Sequence, residues 1–225
     1  MPQRVDWHFL ANEVCNKKVY SEKTQITFSI FIAKRITYDK KAKQHIQQGW
    51  LKGAKRVLSP HYDQRPDLHD ISLLIIHYIS LPPEQFGGHY IDDFFQGKLN
   101  PTQHPYFEEI ATLRVSAHCL INRQGEITQY VNFNDRAWHA GVSQFEGREK
   151  CNDFSIGIEL EGSNTQPFTV AQYQSLITLT KAIMASYPDI TLQRIVGHCD
   201  VAPGRKIDPG QYFDWQTYLD ALQNQ

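Results

Sequence analysis

The pattern of hydrophobic positions is clearest at residues 71–76, ISLLII, a continuous apolar run that contains β-branched residues. Such a run is typical of a strand that is buried on both faces of a sheet. His77 follows the run directly, before a turn at residues 81–83. A histidine that closes a buried central strand lies where active sites collect in α/β folds. On position alone, a core histidine bonded to the backbone is an equally good interpretation.

A second strand is predicted at residues 155–161, SIGIELE, because apolar and other residues alternate strictly there. The apolar members share one face, and the other face carries Gly157, Glu159 and Glu161. Two carboxylates on one strand face are by default solvated. A partly buried carboxylate beside a metal would instead be a candidate general base, and Glu159 and Glu161 are rivals for that role.

The remaining elements define the fold class. Thr169 and Gln172 form a capping box that begins a helix, and its apolar stripe continues to residues 187–188. Shorter helices are predicted at residues 90–95 and 215–222, and strands at residues 115–121, 127–131 and 190–196. Strands mixed with helices, without an internal repeat, predict a single α/β domain. We expect a mixed central β-sheet flanked by helices, with the active-site cleft at the strand ends.

Residues 197–210, GHCDVAPGRKIDPG, combine candidate metal ligands with two prolines and several glycines. Proline and glycine at this density exclude a continuous helix and predict a loop. The loop carries His198, Lys206 and Asp208. Histidine and aspartate both bind Zn²⁺, and a catalytic zinc takes three protein ligands plus water. The loop offers two such ligands, and the rest of the chain must supply the third.

Charge and cysteine content exclude several classes of protein. A net charge of −1 gives no argument for nucleic acid as an electrostatic partner. No apolar run approaches the roughly 18 residues that span a membrane, and no secretory signal is visible. The four cysteines lie far apart without a CxxC pair, which favours reduced thiols. We therefore expect a cytoplasmic protein.

The first 44 residues differ in texture from the rest, with basic polar runs and no visible chemistry. We expect residues 1–44 to form a poorly ordered or loosely attached extension, since so short a segment can hardly close a core alone. Residues 45–225 then form the functional domain.

His77, His198 and Asp208 together form a candidate zinc site, because two neutral imidazoles and one carboxylate leave a coordination position open for water. Such water ionises near neutral pH and can attack a carbonyl. Glu159 could accept the water proton, and Lys206 could place a cation on the developing oxyanion.

Five segments, in order, carry a family resemblance: IIHYISLPPEQFGG (75–88), RVSAHCLI (114–121), RAWHAGVSQFEGRE (136–149), CNDFSIGIELEG (151–162) and GHCDVAPGRKIDPG (197–210). They resemble the AmpD-type 1,6-anhydro-N-acetylmuramyl-L-alanine amidases, zinc enzymes related to peptidoglycan recognition proteins. The similarity covers about residues 49–215. It implies hydrolysis of the amide between anhydromuramic acid and L-alanine of the stem peptide, a cytoplasmic step of peptidoglycan recycling that in some bacteria limits β-lactamase induction.

The resemblance also implies roles for single residues. The positions that match the zinc ligands are His77, His198 and Asp208, those that match the catalytic residues are Glu159 and Lys206, and those that match substrate-binding residues are Arg114, Trp138 and His139. Two further substrate-binding positions depart from the family pattern. Tyr78 stands where asparagine is often found, and Lys150 where arginine is common. Lysine lacks the bidentate carboxylate fork of arginine, which affects affinity for the stem-peptide carboxylates.

We expect a zinc-containing monomer whose partner is a small molecule, the anhydromuropeptide, and neither nucleic acid nor a membrane. An alternative from another class is a non-catalytic module that binds peptidoglycan fragments after loss of a zinc ligand. A periplasmic amidase acting on intact murein would need an export signal. All three ligand types, Glu159 and Lys206 are present, which argues against the binding module. Because no export signal is visible either, the sequence favours the cytoplasmic enzyme.

Overall fold

The computed structural model describes residues 45–223 of the chain. The predicted extension, residues 1–44, lies outside the described residues, so the division at residue 45 stays a prediction. In the described part, no helix has both the length and the apolar character needed to cross a membrane.

The strands organise the fold around one mixed sheet. Their bounds are β1 (Ile46–Gln47), β2 (Trp50–Leu51), β3 (Lys55–Arg56), β4 (Tyr62–Gln64), β5 (Leu73–Ile79), β6 (Cys119–Ile121), β7 (Ile127–Gln129), β8 (Asp135–Ala137), β9 (Gln144–Phe145), β10 (Arg148–Glu149), β11 (Ser155–Glu161) and β12 (Ile195–Gly197). The six-stranded sheet has the order β12-β5-β11-β6-β7-β3. Neighbours from β12 to β6 are parallel, β6 and β7 are antiparallel, and β3 is parallel to β7.

Helices flank this sheet. Their bounds are α1 (Tyr90–Phe95), α2 (Pro105–Ile110), α3 (Val170–Ser186), α4 (His198–Val201) and α5 (Trp215–Gln223). The capping box predicted for α3 is present: the Thr169 hydroxyl accepts from the Gln172 amide at 3.1 Å, and the Gln172 side chain accepts from the Thr169 amide at 3.0 Å. The two reciprocal bonds satisfy backbone donors that the first helical turn leaves free.

The two faces of the sheet are buried differently. On one face, apolar side chains of β5 and β11 pack with α3 and α5 in the main core cluster. On the other face, Leu73 and Ile75 pack against Ala140, Cys151 and Phe154 from the segment that precedes β11. Because paired residues of parallel strands project to the same side, this second face also carries the alternate positions of β11.

The α/β fold with a mixed central sheet is confirmed, and several element bounds differ from expectation. The buried strand β5 continues to Ile79, so His77 lies inside it. Only Cys119–Ile121 of residues 115–121 is a strand. The loop after β12 opens with the single helical turn α4. Cys119 is a buried free thiol as expected, whereas Cys199 is disulfide-bonded, contrary to the expectation of reduced thiols.

Candidate metal centre and active site

Parallel pairing places the candidate ligands side by side. His77 lies on the central strand β5, and β12 pairs with β5 so that Gly197 lies opposite Ile76. His198 follows Gly197 directly and therefore emerges next to His77. The third candidate, Asp208, returns through the loop after α4, where its carbonyl accepts from the Cys199 amide at 3.0 Å. The loop is thus held to the turn that carries His198.

Three ligand atoms of these residues converge on one point. The Nδ1 atoms of His77 and His198 lie 3.0 Å apart, and Oδ2 of Asp208 lies 3.0 Å from each. All three side chains are buried. Among residues 45–223, this is the group of histidine, cysteine and acidic side chains that could hold a metal ion. Two imidazole nitrogens and one carboxylate oxygen suit Zn²⁺.

The electrostatics favour the protonation states that a metal requires. Burial, with the nearby His198 as the next cause, lowers the pKa of His77 to about 4. Burial acts to raise the pKa of Asp208, but hydrogen bonds from His198 and His77 outweigh it and hold this pKa below its usual range. Neutral imidazole and ionised carboxylate are the metal-binding forms.

The remaining ring nitrogens of both histidines meet acceptors on one short segment. Nε2 of His77 lies 2.9 Å from Nδ1 of His139. Nε2 of His198 donates to the carbonyl of Ala140 at 3.0 Å. With the proton on Nε2 in each ligand, each Nδ1 presents a lone pair to the centre.

Glu159 projects into the same site. In the register of β11 and β5, Glu159 lies opposite His77. Its side chain is buried, and its Oε2 has no hydrogen-bond partner among the described residues. Burial and the charge of Asp208 raise the pKa of Glu159 well above the usual value. A buried, unpartnered carboxyl beside three ligand atoms is the arrangement expected of a proton acceptor for a metal site, and it favours a bound group that would satisfy Oε2.

Glu161, the rival candidate, is engaged elsewhere. Its two carboxylate oxygens accept from the amides of Gly87, at 2.5 Å, and Arg123, at 3.0 Å. Glu161 therefore ties two loops to the end of β11. Both carboxylates of this strand are buried, so the default interpretation of solvated side chains was wrong.

Lys206 lies on the exposed part of the loop that also carries Asp208. Burial dominates the pKa of both His77 and Glu159, and the charge of Lys206 acts to lower each of them. A lysine that acts electrostatically on both groups can act on negative charge that develops between them.

The five positions expected to bind substrate lie in different settings. Trp138 is half-buried, donates from Nε1 to Asp63 at 3.1 Å and stacks on His61. Arg114 and Lys150 are exposed. His139 lies against His77, inside the metal site rather than only along its wall.

Tyr78 differs from the other four, because it neighbours His77 along β5 and so projects to the opposite face. It packs at the edge of the main core, and a ring carbon of Tyr78 would lie 3.3 Å from a β-carbon built on Gly210. Burial and the charge of Asp208 raise the pKa of Tyr78 to about 12. Its ring supports the loop that carries Asp208 and remains half-exposed.

Sequence reasoning missed two polar residues that build the site. The side chain of Asn152 accepts from the amides of His139 and Ala140, at 3.1 and 2.8 Å. Arg65 is buried and donates to four backbone carbonyls around the site, those of Asn152, Asp153, Phe133 and Ser155. Burial lowers the pKa of Arg65 to about 10. Contacts to backbone carry no pattern in the sequence, so neither residue could be found there.

Comparison with known proteins agrees with this geometry. The family described as N-acetylmuramoyl-L-alanine amidase matches residues 67–211. The chain is 72% identical over 177 residues to the 1,6-anhydro-N-acetylmuramyl-L-alanine amidase AmpD of Haemophilus influenzae, which covers 79% of this chain and 96% of that protein. The crystal structure of a selenomethionine AmpD derivative is similar with a TM-score of 0.77 at 58% identity, over 79% of this chain and 98% of that one.

A more distant structure is AmpDh3 from Pseudomonas aeruginosa in complex with anhydromuramic pentapeptide. It has a TM-score of 0.52 at 30% identity and covers 68% of this chain and 60% of that one. The family match spans more than half of the sequence and includes all three candidate ligands. The chain therefore belongs to the N-acetylmuramoyl-L-alanine amidase family.

Proposed function

We propose that this chain hydrolyses the amide bond between 1,6-anhydro-N-acetylmuramic acid and the L-alanine of a stem peptide, with a zinc ion held by His77, His198 and Asp208. The observation that carries the proposal is the convergence of three ligand atoms beside a buried carboxyl with an unpartnered oxygen. The choice of bond comes from the name of the 72% identical relative, a 1,6-anhydro-N-acetylmuramyl-L-alanine amidase.

A bound zinc ion supplies Lewis-acid chemistry, polarising the scissile carbonyl and making water nucleophilic near neutral pH. Glu159 removes a proton from the water as its oxygen adds to the carbonyl carbon of the lactyl group. Lys206 places its positive charge on the oxygen that becomes negative. Glu159 then returns the proton to the alanine nitrogen as the carbon–nitrogen bond breaks, so that one free amine and one carboxylic acid leave, and the acid releases its proton to water.

Substrate recognition is proposed for five residues: Arg114, Trp138, His139, Lys150 and Tyr78. The cationic Arg114 and Lys150 suit the carboxylates of a stem peptide. Trp138 offers an aromatic surface for the sugar ring. The complex of AmpDh3 with anhydromuramic pentapeptide supports this class of ligand. We also propose that the chain acts as a monomer in the cytoplasm, in muropeptide recycling.

The proposal is tested with the purified full-length chain and anhydromuramyl-tripeptide. Metal-free, zinc-loaded and chelator-treated samples are compared for free tripeptide by mass spectrometry. The proposal predicts release from the zinc-loaded sample, loss with the chelator and recovery on adding zinc. Binding of the muropeptide by zinc-loaded protein without any release would favour the non-catalytic binding module.

A further inference from the structure

His139 lies behind the metal centre, in the position of an outer partner for one ligand. Its Nδ1 atom is 2.9 Å from Nε2 of His77, and the two rings meet nearly edge to face, with an interplanar angle of 89°. His77 must leave Nδ1 unprotonated to bind a metal, so its proton resides on Nε2. That proton is donated to Nδ1 of His139, which fixes the ring of His77.

The next hydrogen bond in this series, between His139 and Ser155, gives His139 a defined tautomer. Because Nδ1 of His139 accepts, its own proton resides on Nε2, which lies 3.3 Å from the Ser155 hydroxyl. Ser155 is fully buried at the start of β11. The bonds from His77 to His139 to Ser155 therefore run in one direction, with no donor facing a donor.

Gly157 makes room for this arrangement. A β-carbon built on Gly157 would lie 2.4 Å from Nδ1 of His139 and 2.5 Å from its Cγ, far inside contact distance. The backbone of Gly157 has no positive φ, so conformation does not demand glycine here. Glycine inside a strand often marks a close approach by another group, and here that group is the imidazole of His139.

The backbone of the same segment orients the second ligand. Asn152 holds the amides of His139 and Ala140, and the carbonyl of Ala140 accepts from Nε2 of His198. The two-residue segment His139–Ala140 thus meets both imidazole ligands, one through a side chain and one through a carbonyl.

We propose that His139 is a positioning residue for the metal centre, seated on Gly157 and aligned by Ser155, and that it sets the metal affinity of the site through His77. The inference rests on the metal of the proposed function. It departs from the expectation that His139 only lines the substrate cleft. Outer partners of ligating histidines typically contribute 10–100-fold in metal affinity.

The first test measures zinc affinity by competition with a chromophoric chelator, on metal-free full-length chain. His139→Ala should bind zinc 10–100-fold more weakly than wild type. His139→Asn should lose less, because the asparagine Oδ1 can replace Nδ1 as acceptor. His69→Ala is the matched control: this histidine is exposed, and its replacement should leave the affinity unchanged.

A second readout separates positioning from a general structural role. Nitrogen NMR of the imidazoles in zinc-loaded protein should show the Nε2–H proton of His77 in a hydrogen bond, and protected from exchange with water, in wild type and His139→Asn. In His139→Ala, that proton should exchange faster with water. A variant that only loosened the fold would lower the unfolding temperature without producing the expected order of zinc affinity, in which wild type binds most tightly and His139→Ala most weakly.

The third test is a double-mutant cycle with Gly157→Ala, which keeps every polar group. The added methyl group should displace His139 and weaken zinc binding at least tenfold. In the His139→Ala background the same change should have no further effect, because the displaced ring is gone. If His139→Ala does not fold, the zinc affinities of Gly157→Ala and His139→Asn test the positioning role without it.

The outcomes distinguish the inference from the proposed function. Unchanged affinity in His139→Ala or Gly157→Ala, or additive losses in the double variant, overturns the positioning role and leaves the proposed function standing. A wild-type chain that binds no zinc overturns both.

Discussion

Glu159 and His77 lie directly opposite each other in the parallel strands β11 and β5, and their side chains project from the same face of the sheet. The relation follows from strand register, so the rigid centre of the fold sets the spacing between the candidate base and a candidate ligand. Sites built on strands are held more precisely than sites built on loops. The two side chains nevertheless have different tasks, which single substitutions separate.

Removing Asp208 and removing Glu159 should have different consequences. Asp208→Ala deletes one of three ligand atoms and should lose most bound zinc. Glu159→Ala should keep the zinc and lose turnover by about 10²–10⁴-fold, the usual contribution of a general base. Atomic emission measures the zinc content of each variant, and the rate on anhydromuramyl-tripeptide measures its turnover. Equal zinc loss in the two variants would contradict this assignment of roles.

The raised pKa of Glu159 predicts a stability effect in metal-free protein. Burial raises the pKa above the usual 4.5, so the folded chain retains a proton that the unfolded chain has released. Stability is therefore lost as pH rises from 4.5 towards the folded-state pKa. Glu159→Gln, which cannot ionise, should unfold at a higher temperature than wild type at about pH 7.5. The gain should vanish near pH 4, below the unfolded-state pKa.

Glu161→Gln is the matched control for this effect. Glu161 lies on the same strand face but accepts from two backbone amides, so its replacement should stabilise the protein at neither pH. A stabilisation of equal size in both variants would mean that general charge repulsion, and not the burial of Glu159, is the cause.

Arg65 should be a main source of stability around the site. Arg65→Ala removes the donor to four backbone carbonyls, two of them in buried hydrogen bonds, and each buried group left unsatisfied is expensive. We expect a loss of about 3–5 kcal/mol in the free energy of unfolding, measured in urea. Arg56→Ala is the control, because the Arg56 side chain is exposed and its guanidinium lies over the Trp50 ring in a cation–π pair. Its loss should stay below about 1 kcal/mol.

Lys150 should limit affinity for the stem peptide. Lys150→Arg restores a guanidinium that can bind a carboxylate through two hydrogen bonds. The KM for anhydromuramyl-tripeptide should fall by up to about tenfold with little change in kcat. Lys52→Arg, at an exposed position outside the candidate site, should change neither constant. An unchanged KM in Lys150→Arg would remove this residue from the substrate-binding set.

The sequence predicts the parts of the molecule that local pattern and side-chain chemistry determine. The buried run before His77, the alternation around Glu159 and the capping box at Thr169 each correspond to an observed element. The three candidate ligands were identified from their chemistry and from a family resemblance, and the structure brings their ligand atoms together. The predicted ends of the strands were less accurate, because hydrogen bonds to backbone segments distant in sequence determine where a strand ends.

The outer partners of the centre could not be predicted, for a physical reason. The bond between His77 and His139 joins residues 62 positions apart, and the contacts of Arg65 and Asn152 are made to backbone groups. Neither leaves a spacing that can be read from the chain. One signal was available in hindsight: Gly157 interrupts the side chains of a strand face, which is typical of a close approach by another group.

The chain is proposed to hydrolyse one particular amide bond, and a reaction in ¹⁸O-labelled water shows which product receives the oxygen of the water. Zinc-loaded protein is incubated with anhydromuramyl-tripeptide, and both products are weighed by mass spectrometry. We expect one heavy oxygen in the carboxylate of anhydromuramic acid and none in the released tripeptide. Label in a peptide fragment, or no product from zinc-loaded protein, would contradict it.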